Sequence, residues 1–238
     1  LEFRRVLFRS LGCERCADPA APQPVATWSA SPTEIRVAFD RPLDPAALYL
    51  SKTKPELGIK NPYALTEDQL NAAVDLLKAQ HGNIGEYWSD YTKAVQAFES
   101  GTSVIGTSWQ VIANMITSDN KVKIATVLPK EGSTGWSDTW MIAAKAAHPN
   151  CMYKWMDYIT SPKVNAQVAE YFGEAPAQTK ACEMTADKNF CATFHATDAA
   201  YAEQISYWTT PQKKCIDGSG DNCTAYSEWV DKWQQIKG

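Results

Sequence analysis

The sequence predicts an α/β fold, on three observations. A helix opening at Thr66 carries a capping box, and a β-branched run over residues 122–128 follows an amphipathic stretch over 110–116. Two tryptophans, Trp109 and Trp136, and the carboxylate of Asp138 stand at the ends of strand-like runs. In an open α/β sheet, ligands collect in the crevice at the carboxyl ends of strands. Residues 104–140 therefore read as one side of a small-molecule cleft.

Taken in order, the first ten residues, LEFRRVLFRS, lack the apolar core of a secretory signal and read like a translated adapter remnant. Residues 17–27 are rich in Pro and Ala, as in a linker, and 34–39 alternate like a half-buried strand. Cys13-Glu14-Arg15-Cys16 is a lone C-x-x-C: without a second pair it is a weak zinc signal, and with Ala17 after it in place of His it is not a c-type haem site. Residues 1–50 are expected to be unrelated to the rest or artefactual.

From residue 51 helices and strands alternate. Leu70, Ala73, Val74 and Leu77 share one helical face, with Gly82 as the expected stop. A second helix is expected over 86–98, its stripe of Tyr87, Tyr91, Val95 and Phe98 read as core. Gly101 breaks the chain before a strand at 104–106; the run 122–128 ends in the turn Pro129-Lys130-Glu131-Gly132. A short strand is expected at 140–143. Two proline-started helices follow at 149–160 and 162–172, the second ended by Gly173. A helix over 198–207 and a C-terminal helix bearing Tyr226, Trp229, Val230 and Trp233 complete the chain.

Composition narrows the function. With 238 residues, 45% hydrophobic and 21% charged, the chain is globular, as one large domain or two small ones. A net charge of −4 argues against nucleic acid as a partner, and no stretch approaches the roughly 20 apolar residues of a membrane-spanning helix. Cys182 with Cys191, and Cys215 with Cys223, bracket short polar loops, which suggests disulfides and an oxidising compartment; Cys151 is left over as a thiol. The chain has no G-x-S-x-G, H-E-x-x-H, Walker or G-x-G-x-x-G motif, and His81, His148 and His195 read as surface residues. No catalytic residues, metal or cofactor are expected. Indole faces attract ammonium groups and a carboxylate adds a charge-assisted hydrogen bond, so Trp109, Trp136 and Asp138 suit an amine. The alternative for the same residues is ordinary packing, with Asp138 capping a turn.

Helix 66–80, Gly106-Thr107-Ser108-Trp109, Pro129-Lys130-Glu131-Gly132 with Trp136-Ser137-Asp138, and Ser161 through Glu170 with its Gly173 loop occur in an order and spacing that resemble one family. It is the spermidine/putrescine-binding family among the extracytoplasmic substrate-binding proteins of ABC transporters. The resemblance implies a periplasmic-binding-protein type II architecture, here as one nearly complete lobe plus a fragment of the other. It divides the chain into 51–136 with 186–238 as the second lobe and 137–185 as the fragment of the first. It gives stacking roles to Trp109 and Trp136 and an amine-binding role to Asp138. Glu174 stands where relatives often have an aromatic residue, and could serve another amine; Trp208, with Tyr207, is a further wall candidate. A small polyamine-like ligand, an ABC permease as partner, a monomer, an extracytoplasmic location with the native signal absent from this chain, and exposed apolar surface on helices 149–160 and 162–172 are implied. Two other readings stay open: a secreted hydrolase with an aromatic-lined cleft, and an interaction module whose tryptophans are buried packing.

Overall fold

The structure, a computed structural model, describes residues 43–88, 90–118 and 122–237; the readings for 1–42 lie outside them. The chain divides into two compact units, passing from the larger to the smaller at 137/138 and back at 199/200. The family resemblance implies these passages at 136/137 and 185/186.

The larger unit contains helices α1 (Leu43–Thr53), α2 (Glu67–Gln80), α3 (Tyr91–Glu99) and α4 (Gln110–Ser118), then strand β1 (Ser133–Gly135). The smaller contains α5 (Pro149–Ile159), α6 (Pro162–Phe172) and the single turn α7 (Phe190–Thr193). The one-turn α8 (Ala199–Ala202) spans the return passage, and β2 (Ile205–Tyr207) and α9 (Tyr226–Lys237) complete the larger unit.

Helix α2 starts where the capping box puts it. The Thr66 hydroxyl accepts from the Gln69 amide at 3.4 Å, and the Gln69 side chain accepts from the Thr66 amide at 2.9 Å. Its Leu70, Ala73, Val74 and Leu77 pack into a core with Leu43, Ala46, Ala47 and Leu50 of α1, Ile112 and Ile116 of α4, and Trp229, Trp233 and Ile236 of α9. The expected junction at residue 50 thus falls inside α1, whose Leu43, Ala46, Ala47 and Leu50 are core. Thr224 fastens α9 to the start of α2: its hydroxyl donates to the Leu65 carbonyl at 3.0 Å and accepts from the Trp229 indole at 2.9 Å.

Several local expectations give way to longer-range pairing. Residues 104–106, 122–128 and 140–143 form no strand; among the described residues the sheet consists of β1 and β2 alone, and a strand needs a ladder partner. Residues 198–207 are not one helix: after the single turn of α8, Ile205–Tyr207 pairs in parallel with β1. Helix α3 starts at Tyr91 rather than 86 because the Asp90 carboxylate caps it, accepting from the Thr92 amide at 2.8 Å. Gly82 does not close α2; His81, still right-handed, leads into a 3₁₀ turn.

In the smaller unit α5 and α6 pack through Trp155, Ile159 and Val164. Gly173, at φ 72°, ends α6 in the left-handed conformation, its N–H donating to the Ala169 carbonyl at 2.8 Å. Glu170 reaches out of α6 to accept from the amides of Ala186 and Asp187, and the Cys182–Cys191 disulfide closes that loop. Cys215 and Cys223 are likewise bonded, and Cys151 is a half-buried free thiol. Tyr153, Tyr171 and Phe172 of α5 and α6 are 60%, 71% and 56% exposed.

Candidate functional site

The site is built on the strand pair. Ser133 donates to the Gln204 carbonyl at 2.9 Å, the ladder runs through Ser133↔Ile205, Thr134↔Ser206 and Gly135↔Tyr207, and Trp208 donates to the Gly135 carbonyl at 2.8 Å. Trp136 and Trp208 are therefore the first residues beyond the carboxyl ends of two parallel, paired strands. This is where an α/β sheet presents side chains to ligands. The glycine of the Pro129–Gly132 turn permits the pairing: Gly132 has φ 91°, and a Cβ there would lie 2.6 Å from the Gln204 carbonyl oxygen.

Trp109 comes to Trp136 from the loop before α4. Their ring centroids are 5.4 Å apart and tilted by 58°, and both side chains are half-buried. Behind them Trp88, 6% exposed, meets Trp109 edge-on at 5.5 Å. Two buried polar atoms in the same loop, Thr107 Oγ1 and Trp109 Nε1, have no hydrogen-bond partner. A buried unsatisfied group costs about 1–3 kcal/mol; in this loop the Ser108 hydroxyl and the Ala113 amide both donate to the Trp109 carbonyl, at 3.0 and 3.2 Å.

The structure thus brings Trp109, Trp136 and Trp208 onto one unit. The two carboxylate candidates belong to the smaller unit: Asp138 is its first described residue and is exposed, while Glu174 is half-buried directly after Gly173, its amide donating to the Ala169 carbonyl at 3.1 Å. Tyr207, 53% exposed, lines an open groove of about 630 Å³ with Lys60, Tyr63, Ser206, Asp217 and Ser219. Asp217 there is held below the usual carboxylate range, first by the Ser219 hydroxyl and then by the Ser219 amide.

Sequence reasoning missed three residues around this wall. Trp88 stood next to the tyrosine stripe without falling on it. Asp44, 2% exposed, lay in a segment set aside. Tyr63, also 2% exposed, carries no motif. The Tyr63 phenol is pushed far above its ordinary range, first by burial and then by the Asp44 carboxylate beside it. Among the described residues no group of His, Cys, Asp or Glu could hold a metal ion, and no helix is long and apolar enough to cross a membrane.

A profile of the bacterial extracellular solute-binding proteins matches residues 39–204. The putrescine/agmatine-binding protein of Pseudomonas aeruginosa is 32% identical over 68 residues, 29% of this chain and 18% of that protein. Among solved structures, the spermidine/putrescine ABC transporter substrate-binding protein PotD from Streptococcus pneumoniae aligns with a TM-score of 0.57 at 16% identity. That alignment covers 90% of this chain and 66% of PotD. The PBP MotA from Agrobacterium tumefaciens, solved with glucopine, aligns with a TM-score of 0.56 at 16% identity, over 83% of this chain and 59% of MotA. The chain accordingly spans 66% and 59% of the lengths of these two structures. At such identities the likeness is one of fold.

Proposed function

The chain belongs to the bacterial extracellular solute-binding proteins and holds part of their type II periplasmic-binding fold, and from that premise we propose that it captures a small polyamine-like cation for an ABC permease. The family is one of binding proteins, not enzymes, and acts outside the cytoplasm. The observation that carries the ligand class is the set of indoles at the strand ends: Trp136 at 5.4 Å from Trp109, with Trp208 bonded to the neighbouring strand end through its backbone. An ammonium group over an indole face gains about 0.5–2 kcal/mol, more as water is excluded. Asp138 and Glu174 are the carboxylates proposed to neutralise the amines by charge-assisted hydrogen bonds. The names of the Pseudomonas relative and of PotD support the same class.

Titration calorimetry of the gene product that carries this sequence tests the reading, with putrescine, spermidine and neutral 1,4-butanediol. Saturable heat is expected for the amines and none for the diol. Asp138→Ala and Trp136→Ala should each weaken amine binding by about tenfold, from the loss of a charged partner or a stacking face. No heat with either amine, or wild-type affinity in Asp138→Ala, would overturn the amine assignment.

A further inference from the structure

Tyr63 is buried to 2% exposure in the turn before α2, where its amide donates to the Asn61 side-chain carbonyl at 2.9 Å. Its hydroxyl donates to the Ser206 carbonyl of β2 at 2.8 Å, with the side chains of Asp44 on α1 and Thr134 on β1 beside it. Thr134 and Ser206 are register partners across the ladder. One phenolic oxygen therefore meets both strands at the same rung, and a helix besides. Two residues further along each strand stand Trp136 and Trp208.

We propose that the Tyr63 hydroxyl is a positioning group for the binding wall, fixing the two strand ends against α1 and so setting where the indoles of Trp136 and Trp208 stand. A core tyrosine needs one acceptor for its proton, and the Ser206 carbonyl alone supplies it. Asp44 and Thr134, both at most 2% exposed, pack around that oxygen, so the junction is closed on every side and has one geometry. With only two short strands in the described sheet, little else in the ladder fixes the height of the strand ends. A displacement of about 1 Å at a binding constellation is enough to spoil it. This role rests on the proposed function for its meaning, but not for its test.

The test substitutes Tyr63→Phe, which keeps the ring and removes the oxygen, with Thr134→Val as a second variant that keeps β-branched shape and removes only the hydroxyl facing Tyr63. Two readouts are taken: putrescine affinity, and the exciton couplet of the Trp109–Trp136 pair in circular dichroism, isolated by subtracting the spectrum of Trp136→Phe. Both variants should weaken putrescine binding by about tenfold and reduce the couplet, a spectroscopic change that mere loss of stability in a still-folded protein would not cause. Wild-type affinity with an intact couplet in either variant overturns the inference. If Tyr63→Phe does not fold, Thr134→Val decides. If the wild type binds no amine, the proposed function falls, and the couplet alone still decides the positioning role.

Discussion

Gly132 shows how much one residue can determine. It closes the turn at φ 91°, and the carbonyl it faces belongs to Gln204, the residue before β2. That same carbonyl takes the first ladder bond, from Ser133. A methyl group at Gly132 would be strained by the left-handed backbone and would meet a main-chain atom that cannot swing aside. Gly132→Ala should therefore cost about 1–3 kcal/mol, read from urea denaturation, and should displace Trp136 and Trp208 together. An unchanged midpoint would show that the turn tolerates another conformation. The glycine was readable in the sequence as part of a turn; the carbonyl opposite it was not, because Gln204 is distant in the chain. Tyr63 was unreadable for the same reason, with its acceptor 143 residues away.

At the scale of elements, what the sequence made legible follows whether the defining interaction is local. Helix α2 announces itself: its cap is made by residues three apart, and its apolar face repeats along the chain. The same holds for α6, from Pro162 to its glycine cap at Gly173. Strands are a pairing rather than a sequence, so 122–128 looks like a strand and is none, while Ile205–Tyr207 looked like the end of a helix and pairs with β1. The candidate site was legible to the same degree. Trp109 and Trp136 stood out at the ends of apolar runs, but their meeting at 5.4 Å depends on how α4 and β1 pack. The capping box carries a further consequence. Thr66 also forms an isolated bridge to Cys223, and the Gln69 side chain donates to the Leu57 carbonyl at 2.9 Å. Thr66→Ala should cost about 1 kcal/mol, measurable by guanidinium denaturation, whereas Thr66→Ser should recover most of it. Equal stability of all three proteins would mean that neighbouring contacts, not the cap, hold the start of α2.

Across the molecule, the two units are stapled separately. Cys182–Cys191 lies in the smaller and Cys215–Cys223 in the larger, with sequence separations of 9 and 8. Loops this short contribute about 2–3 kcal/mol each if their effect is to restrict the unfolded chain. Replacing Cys215 and Cys223 by Ser should lower the stability of the larger unit, and with it the anchoring of Thr66 through Cys223. The Cys182/Cys191 double replacement should act on the smaller one. Hydrogen exchange resolves the two: protection lost in the unit that retains its disulfide, or lost equally in both, would contradict separate stapling.

The strandless stretch at 122–128, VKIATVL, has a consequence for the chain's behaviour at high concentration. It carries one charge, is rich in β-branched residues, and has no ladder partner among the described residues; Val127 is 77% exposed. Such a segment is a template on which a like segment of another molecule can add, the first step toward cross-β assembly. Lys123 within it and Pro129 and Lys130 directly after it in the sequence act in the manner of gatekeepers, which repel a second copy or refuse it a hydrogen bond.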